Sequence, residues 1–190
     1  MSRPSLRAKF LASAVKTFQT KGFKSSTIED IADAAGAFKG SFYNHFNSKE
    51  AVAVATVELY TEVGIGMLAM KGPPSPIKRL RKHFELMAAY QRKHHFPQGC
   101  LLANFSAELA DETVGLRKAL NEAMKRWYKA VATVVRQAQD AGEINKRHNP
   151  DQLARYLVNA WEGTNVRVRA SKSSIPVDDF FKVTFDEMLR

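Results

Sequence analysis

The sequence predicts an all-α protein of about nine helices: an N-terminal three-helix unit, then a larger helical region. Two observations carry this. Apolar side chains recur at three- and four-residue spacing in run after run, and no stretch alternates apolar with polar residues in the way a half-buried strand does. Glycine, proline and capping residues punctuate the runs.

The first run is Leu6, Phe10, Ala14, Val15 and Phe18, closed by Lys21-Gly22, where glycine can take a left-handed cap. Thr27-Ile28-Glu29-Asp30 opens a short second helix with the makings of a capping box, and Gly36 stops it. A third short helix is expected from Phe38 to His45. Asn47 is the expected N-cap of a fourth, with Glu50 at its third position. That fourth helix, about residues 48 to 70, is apolar on several sides (Val52, Ala55, Leu59, Val63, Met67) and is expected to run through the centre. Gly72-Pro73-Pro74 breaks the chain before a fifth helix carrying Ile77, Leu80, Phe84 and Met87. The stretch from His94 to Gly99 precedes a shorter sixth with Leu101, Phe105 and Leu109. The seventh is long, from Leu116 to Ala138. Asn149-Pro150 reads as N-cap and first residue of the eighth, and Pro176 opens the ninth.

Composition narrows the function. The 190 residues are 45% hydrophobic and carry 29 Lys and Arg against 19 Asp and Glu. That excludes wholesale disorder and collagen-like repeats, and a single cysteine excludes a disulfide framework within one chain. The uncharged stretch 96–107 contains Pro97, Gln98, Gly99 and Asn104, so no membrane span is expected there. No apolar run precedes Arg7, so no signal peptide is expected, and the cytoplasm is the expected compartment. A net charge of +10 favours a polyanionic partner. The first 50 residues hold eight Lys and Arg against four Asp and Glu, about twice as basic per residue as the rest.

Two short helices joined at a glycine, inside that basic segment, suggest a helix-turn-helix. Lys39, Ser41, Asn44 and His45 are hydrogen-bonding groups on a helix of about two turns, which core packing does not explain. Lysine can read guanine, asparagine can pair with adenine, and serine can contact either. Tyr43 and Lys49 could hold phosphates.

The segment TKGFKSSTIEDIADAAGAFKGSFYNHFNSKEAV, Thr20 to Val52, resembles the TetR family of bacterial transcriptional regulators. The resemblance implies a DNA-binding regulator, most often a repressor, that works as a homodimer on a near-palindromic operator. It places Thr27 and Tyr43 on phosphates, Lys39, Gly40, Ser41, Asn44 and His45 toward the groove, and Lys49 on the DNA backbone, with Phe42 and Phe46 packed inward. It also implies a DNA-binding domain over 1–50 and a ligand-binding and dimerisation domain over 51–190. Phe38 departs from the family's small polar N-cap; packing against helix one is expected, with contact to a thymine methyl as the alternative.

Beyond Val52 the resemblance thins. His83, Tyr90, Cys100, Asn104, Phe105, Met124, Trp127, Trp161 and Arg167 are the candidate lining of a pocket for a small molecule; core packing is the competing reading for each. Tyr156, Ala160, Gly163, Val177, Phe180, Phe181, Phe185 and Met188 are the candidate dimer interface, because the last two helices carry wide apolar stripes that need a cover. In a monomer, helix seven could supply it. Cys100 opens GCLLANFSAELAD, similar to a stretch in a branch of the family with electrophile- or oxidant-sensing members. An inert buried thiol is the alternative. His83, His94, His95 and Cys100 match no closed ligand set, so no metal and no cofactor is expected. The chain carries no Gly-rich phosphate loop, no Gly-x-Ser-x-Gly and no His-Glu-x-x-His, so no enzyme is expected. An architectural DNA-binding protein without an effector and a helical small-molecule enzyme are the alternatives.

Overall fold

The computed structural model describes residues 4–69, 74–93, 99–109, 111 and 113–189. Every regular element among them is helical: α1 Leu6–Lys21, α2 Ile28–Ala35, α3 Lys39–Phe42, α4 Lys49–Ala69, α5 Pro76–Lys93, α6 Leu101–Leu109, α7 Val114–Asp140, α8 Pro150–Ser171 and α9 Ile175–Phe181. The last continues as a π-helical stretch, Lys182–Met188. The expected all-α architecture is the one observed.

Helix ends follow local chemistry. The Thr27 hydroxyl accepts from the Asp30 amide at 3.0 Å while the Asp30 carboxylate accepts from the Thr27 amide at 2.9 Å, a complete capping box. Asn149 Oδ1 accepts from the amides of Asp151 and Gln152 at the start of α8. Gly36 ends α2 at φ 64°, a left-handed cap that a side chain would strain. Two expectations need correction. Ser48, not Asn47, caps α4, its hydroxyl accepting from Ala51 N at 3.0 Å. And α3 is four residues long: Asn44 and His45 lie in the tight turn after it, where the amides of His45 and Phe46 both donate to the Phe42 carbonyl.

The chain divides into two compact units, one of Met1–Tyr60 with Leu101–Ala123, the other of Thr61–Cys100 with Met124–Arg190. A division at residue 50 is therefore not the one that packing defines, because α6 packs on α1. In the first unit Phe18 meets Phe105 edge-on at 5.3 Å between ring centres, with Phe23 beside both. Glu108 of α6 accepts from the amides of Phe23 at 3.0 Å and Lys24 at 2.7 Å, tying down the loop that leaves α1. The first half of α4 adds Val52, Ala53, Thr56 and Val57 to this core, whereas Leu59 and Val63 face outward, contrary to expectation. By length and composition α4 would suit a bilayer crossing, but its buried stripe serves a packed core.

The second unit is built around Phe84 of α5. Its ring meets Trp161 of α8 at 5.5 Å and Phe180 of α9 at 5.2 Å, and Trp161 meets Phe180 at 5.1 Å. Phe185 closes the cluster. Burying each such ring contributes about 1.5–3 kcal/mol. α5 and α8 of the same chain thus cover the buried face of the last helix.

Candidate nucleic-acid interface

The reading face is set by what the second helix of the pair buries. Phe42 is fully buried, edge-on to Phe10 at 5.5 Å and beside Phe46 at 5.5 Å. Arg7 lies over the Phe46 ring at 5.2 Å. With 42 and 46 turned inward, Lys39 and Gly40 of α3 and Tyr43, Asn44 and His45 of the turn after it are all exposed, while Ser41 is half-buried. The inward placement expected for the two phenylalanines is what the structure has. His45 also rests against Phe10, 5.8 Å between rings.

The electrostatics are local. Lys21 Nζ lies 2.6 Å from Asp30, and this hydrogen bond, with the Thr27 contacts, lowers the Asp30 carboxyl to about 2. The box therefore stays ionised and intact at neutral pH, with the Thr27 hydroxyl serving in it as acceptor. Lys39 stands 3.6 Å from Glu29, both well exposed. Such a pair is worth little and leaves the ammonium free to swing.

Lys49 is differently employed. Its ammonium donates to the carbonyls of Phe23 at 2.9 Å and Ser26 at 2.8 Å and sits 4.2 Å over the Phe23 ring. The side chain expected to hold DNA also holds the α1–α2 loop, which takes two of its three donors. Phe38 does not pack against helix one: it is 88% exposed and makes no side-chain cap.

The candidate effector residues separate. In the second unit His83 is buried, accepting at Nε2 from the Trp127 indole N–H at 3.0 Å. Burial lowers its pKa to about 4, so it is neutral, and its Nδ1 has no partner. Phe84 bridges it to Trp161, at 5.1 Å from the His83 ring. Cys100 is a buried cysteine of this same unit. Met124 is half-buried, and Arg167 is exposed rather than enclosed. Phe105 joins the first unit's aromatic cluster, and Asn104 lies on α6 of that unit. The side chain of Tyr90, together with His94 and His95, lies outside the described residues.

Sequence reading missed Glu162. Both its carboxyl oxygens are buried without a hydrogen-bond partner. Burial pushes its pKa up to about 7, against a weaker opposing pull from the Cys100 thiol. The signal was present, since Glu162 falls four residues after buried Val158 on the inward stripe of α8. Glu108 left no comparable signal, because its partners are amides of a distant loop.

The candidate dimer residues also divide. Val177, Phe180 and Phe185 are buried within one chain and cannot form an exposed face; Ala160, Phe181 and Met188 are half-buried. Tyr156 and Gly163 are exposed on α8. With them on the outside are Val166, Ile175 and Val183, each at least half exposed.

A buried aromatic floor beneath a short, polar, outward-turned second helix defines a helix-turn-helix DNA-binding module. Family models agree. Residues 10–56 match bacterial regulatory proteins of the tetR family, and residues 76–184 match the tetracyclin repressor-like C-terminal domain. The HTH-type transcriptional repressor DhaR of Mycobacterium sp. is 30% identical over 192 residues, covering 100% of this chain and 95% of that protein. The HTH-type transcriptional repressor NemR of Escherichia coli is 27% identical, covering 91% and 88%. The crystal structure of a regulatory protein TetR from Rhodobacter sphaeroides superposes with a TM-score of 0.85 at 28% identity, covering 92% of this chain and 94% of that one. The chain belongs to the TetR family of transcriptional regulators, and these relatives are named as regulators rather than enzymes.

Proposed function

We propose that this chain is a transcriptional repressor that binds a near-palindromic operator as a homodimer in the cytoplasm and releases it when a small molecule enters the second unit. The observation that carries the reading is the outward set Lys39, Gly40, Tyr43, Asn44 and His45 above buried Phe42 and Phe46. Ser41 and Thr27 border it. DhaR and NemR, both named repressors, support the direction of control.

Two reading heads on a two-fold axis would sit about one DNA turn apart. The dimer face is drawn from Tyr156, Gly163, Val166 and Ile175, the outward residues of α8 and α9. The effector would meet the unsatisfied Nδ1 of His83 and the unsatisfied Glu162 carboxyl among Trp127, Trp161 and Cys100. A ligand that satisfies them prefers one conformation, and that preference is all it can use to release DNA. Burial of Cys100 favours a reversibly bound effector over thiol modification.

The test is selection of duplexes from a randomised pool by the wild type and by Asn44→Ala. Loss of about 1–3 kcal/mol of preference at one base position is expected. An unchanged preference would move the reading helix elsewhere. Binding to all duplexes alike, with only a steep salt dependence, would favour an architectural protein.

A further inference from the structure

We propose that Phe38 is a base-reading residue: its ring takes the C5 methyl of a thymine in the major groove and thereby sets operator preference. The inference rests on the DNA-binding reading above.

Phe38 is fixed in backbone and free in side chain. It stands at φ −72°, ψ 140° as the residue before α3, and its carbonyl accepts from the Ser41 amide at 2.9 Å. Its ring is the most exposed of the large hydrophobic side chains among the described residues. The fold gains nothing from it. A serine, threonine, asparagine or aspartate here would cap α3, and phenylalanine makes no such bond. A buried ring would add to the core, and this one is not buried.

Its surroundings say what it could meet. Lys39 and Gly40 follow it directly and are exposed, and a Cβ built on Gly40 meets nothing within 4 Å. The face around Phe38 is thus open, basic and polar. The second helix of a helix-turn-helix presents its N-terminal residues to base edges, and Phe38 is the residue that leads into that helix. A phenyl ring can neither donate to nor accept from a base edge, and it has no match on a phosphate. The apolar feature of the major groove is the thymine methyl. Apolar wedges driven between base steps belong to minor-groove binders.

The test uses the full-length protein and a duplex that it selects from a randomised pool. Each thymine is replaced singly by uracil, which removes only the methyl. For the wild type, one thymine in each half-site should weaken binding by about fourfold when demethylated, the value of one buried methyl group. Phe38→Ser should lose this response at that position and keep the responses at all others. Its thermal midpoint should be no lower than the wild type's, because serine restores a cap. Phe38→Leu should keep the methyl dependence. The proposal is overturned if Phe38→Ser shows every uracil response of the wild type. It is equally overturned if the substitution weakens selected and mixed-sequence duplexes alike, which assigns the ring to the backbone, or if the wild type kinks the duplex at the affected step. Failure of the wild type to select any sequence would instead remove the DNA-reading function itself.

Discussion

Glu162→Gln should make the protein more stable at pH 8 and change it much less at pH 5. The Glu162 carboxyl titrates near 7 in the folded chain against 4.5 for an ordinary glutamate. Its folded-state pKa is raised, so the proton is held more tightly in the native state. The stability this gives is full below pH 4.5 and is lost as pH rises through 7. Each unit of difference is worth about 1.4 kcal/mol. Between pH 5 and pH 8 the wild type should therefore lose about 2–3 kcal/mol that the neutral amide does not lose. The groups facing the carboxyl are the Cys100 thiol, which favours ionisation, and Tyr128 of α7, whose own hydroxyl is raised by burial and by Glu162. His83 titrates in the opposite sense: its lowered pKa costs stability as pH falls from 6.5 toward 4. That loss is common to both proteins and cancels in the difference. Urea denaturation of both proteins at the two pH values measures the gap. A gap that does not open with pH would refute the claim that Glu162 is a desolvated carboxyl.

Three further substitutions bear on the remaining sites. Lys49→Met should cost about 1–3 kcal/mol by thermal unfolding, since two loop carbonyls lose a charged donor; equal stability with weakened binding to all duplexes would return Lys49 to the DNA backbone. Phe180→Ala should destabilise the second unit by about 3–5 kcal/mol, whereas Val166→Glu should leave the fold intact and shift sedimentation toward the monomer; an unaltered sedimentation profile would exclude the outward face of α8 from the dimer contact.

The helix-turn-helix was legible because its signals are local. A capping box spans four residues, a glycine turn spans one, and Phe42 and Phe46 share a face by helical repeat alone. Lys49 was not legible. A lysine opening a helix looks the same whether its partner is a phosphate or a carbonyl 26 residues earlier, and only the folded loop decides. Phe180 and Phe185 show the same limit. An apolar stripe states that a cover is needed, not whether Phe84 and Trp161 of the same chain or a second chain supplies it. The packing of Phe105 against Phe18 was not legible, because α6 is distant in sequence from α1. Phe38 was expected to pack against helix one, with a thymine methyl as the alternative, and its ring is 88% exposed.

The side chains that would read DNA and those that hold the module together are different residues on opposite faces of one short segment, 39–46, with α1 behind it. Lys39, Tyr43 and Asn44 are exposed, so changing them removes little buried area, and surface changes of this kind usually stay within about 0.5 kcal/mol. Phe10, Phe42 and Phe46 carry the packing and read nothing. Operator preference can therefore drift by single substitutions while the scaffold keeps its margin. A duplicated copy of such a module could acquire a new target without first passing through a poorly folded intermediate.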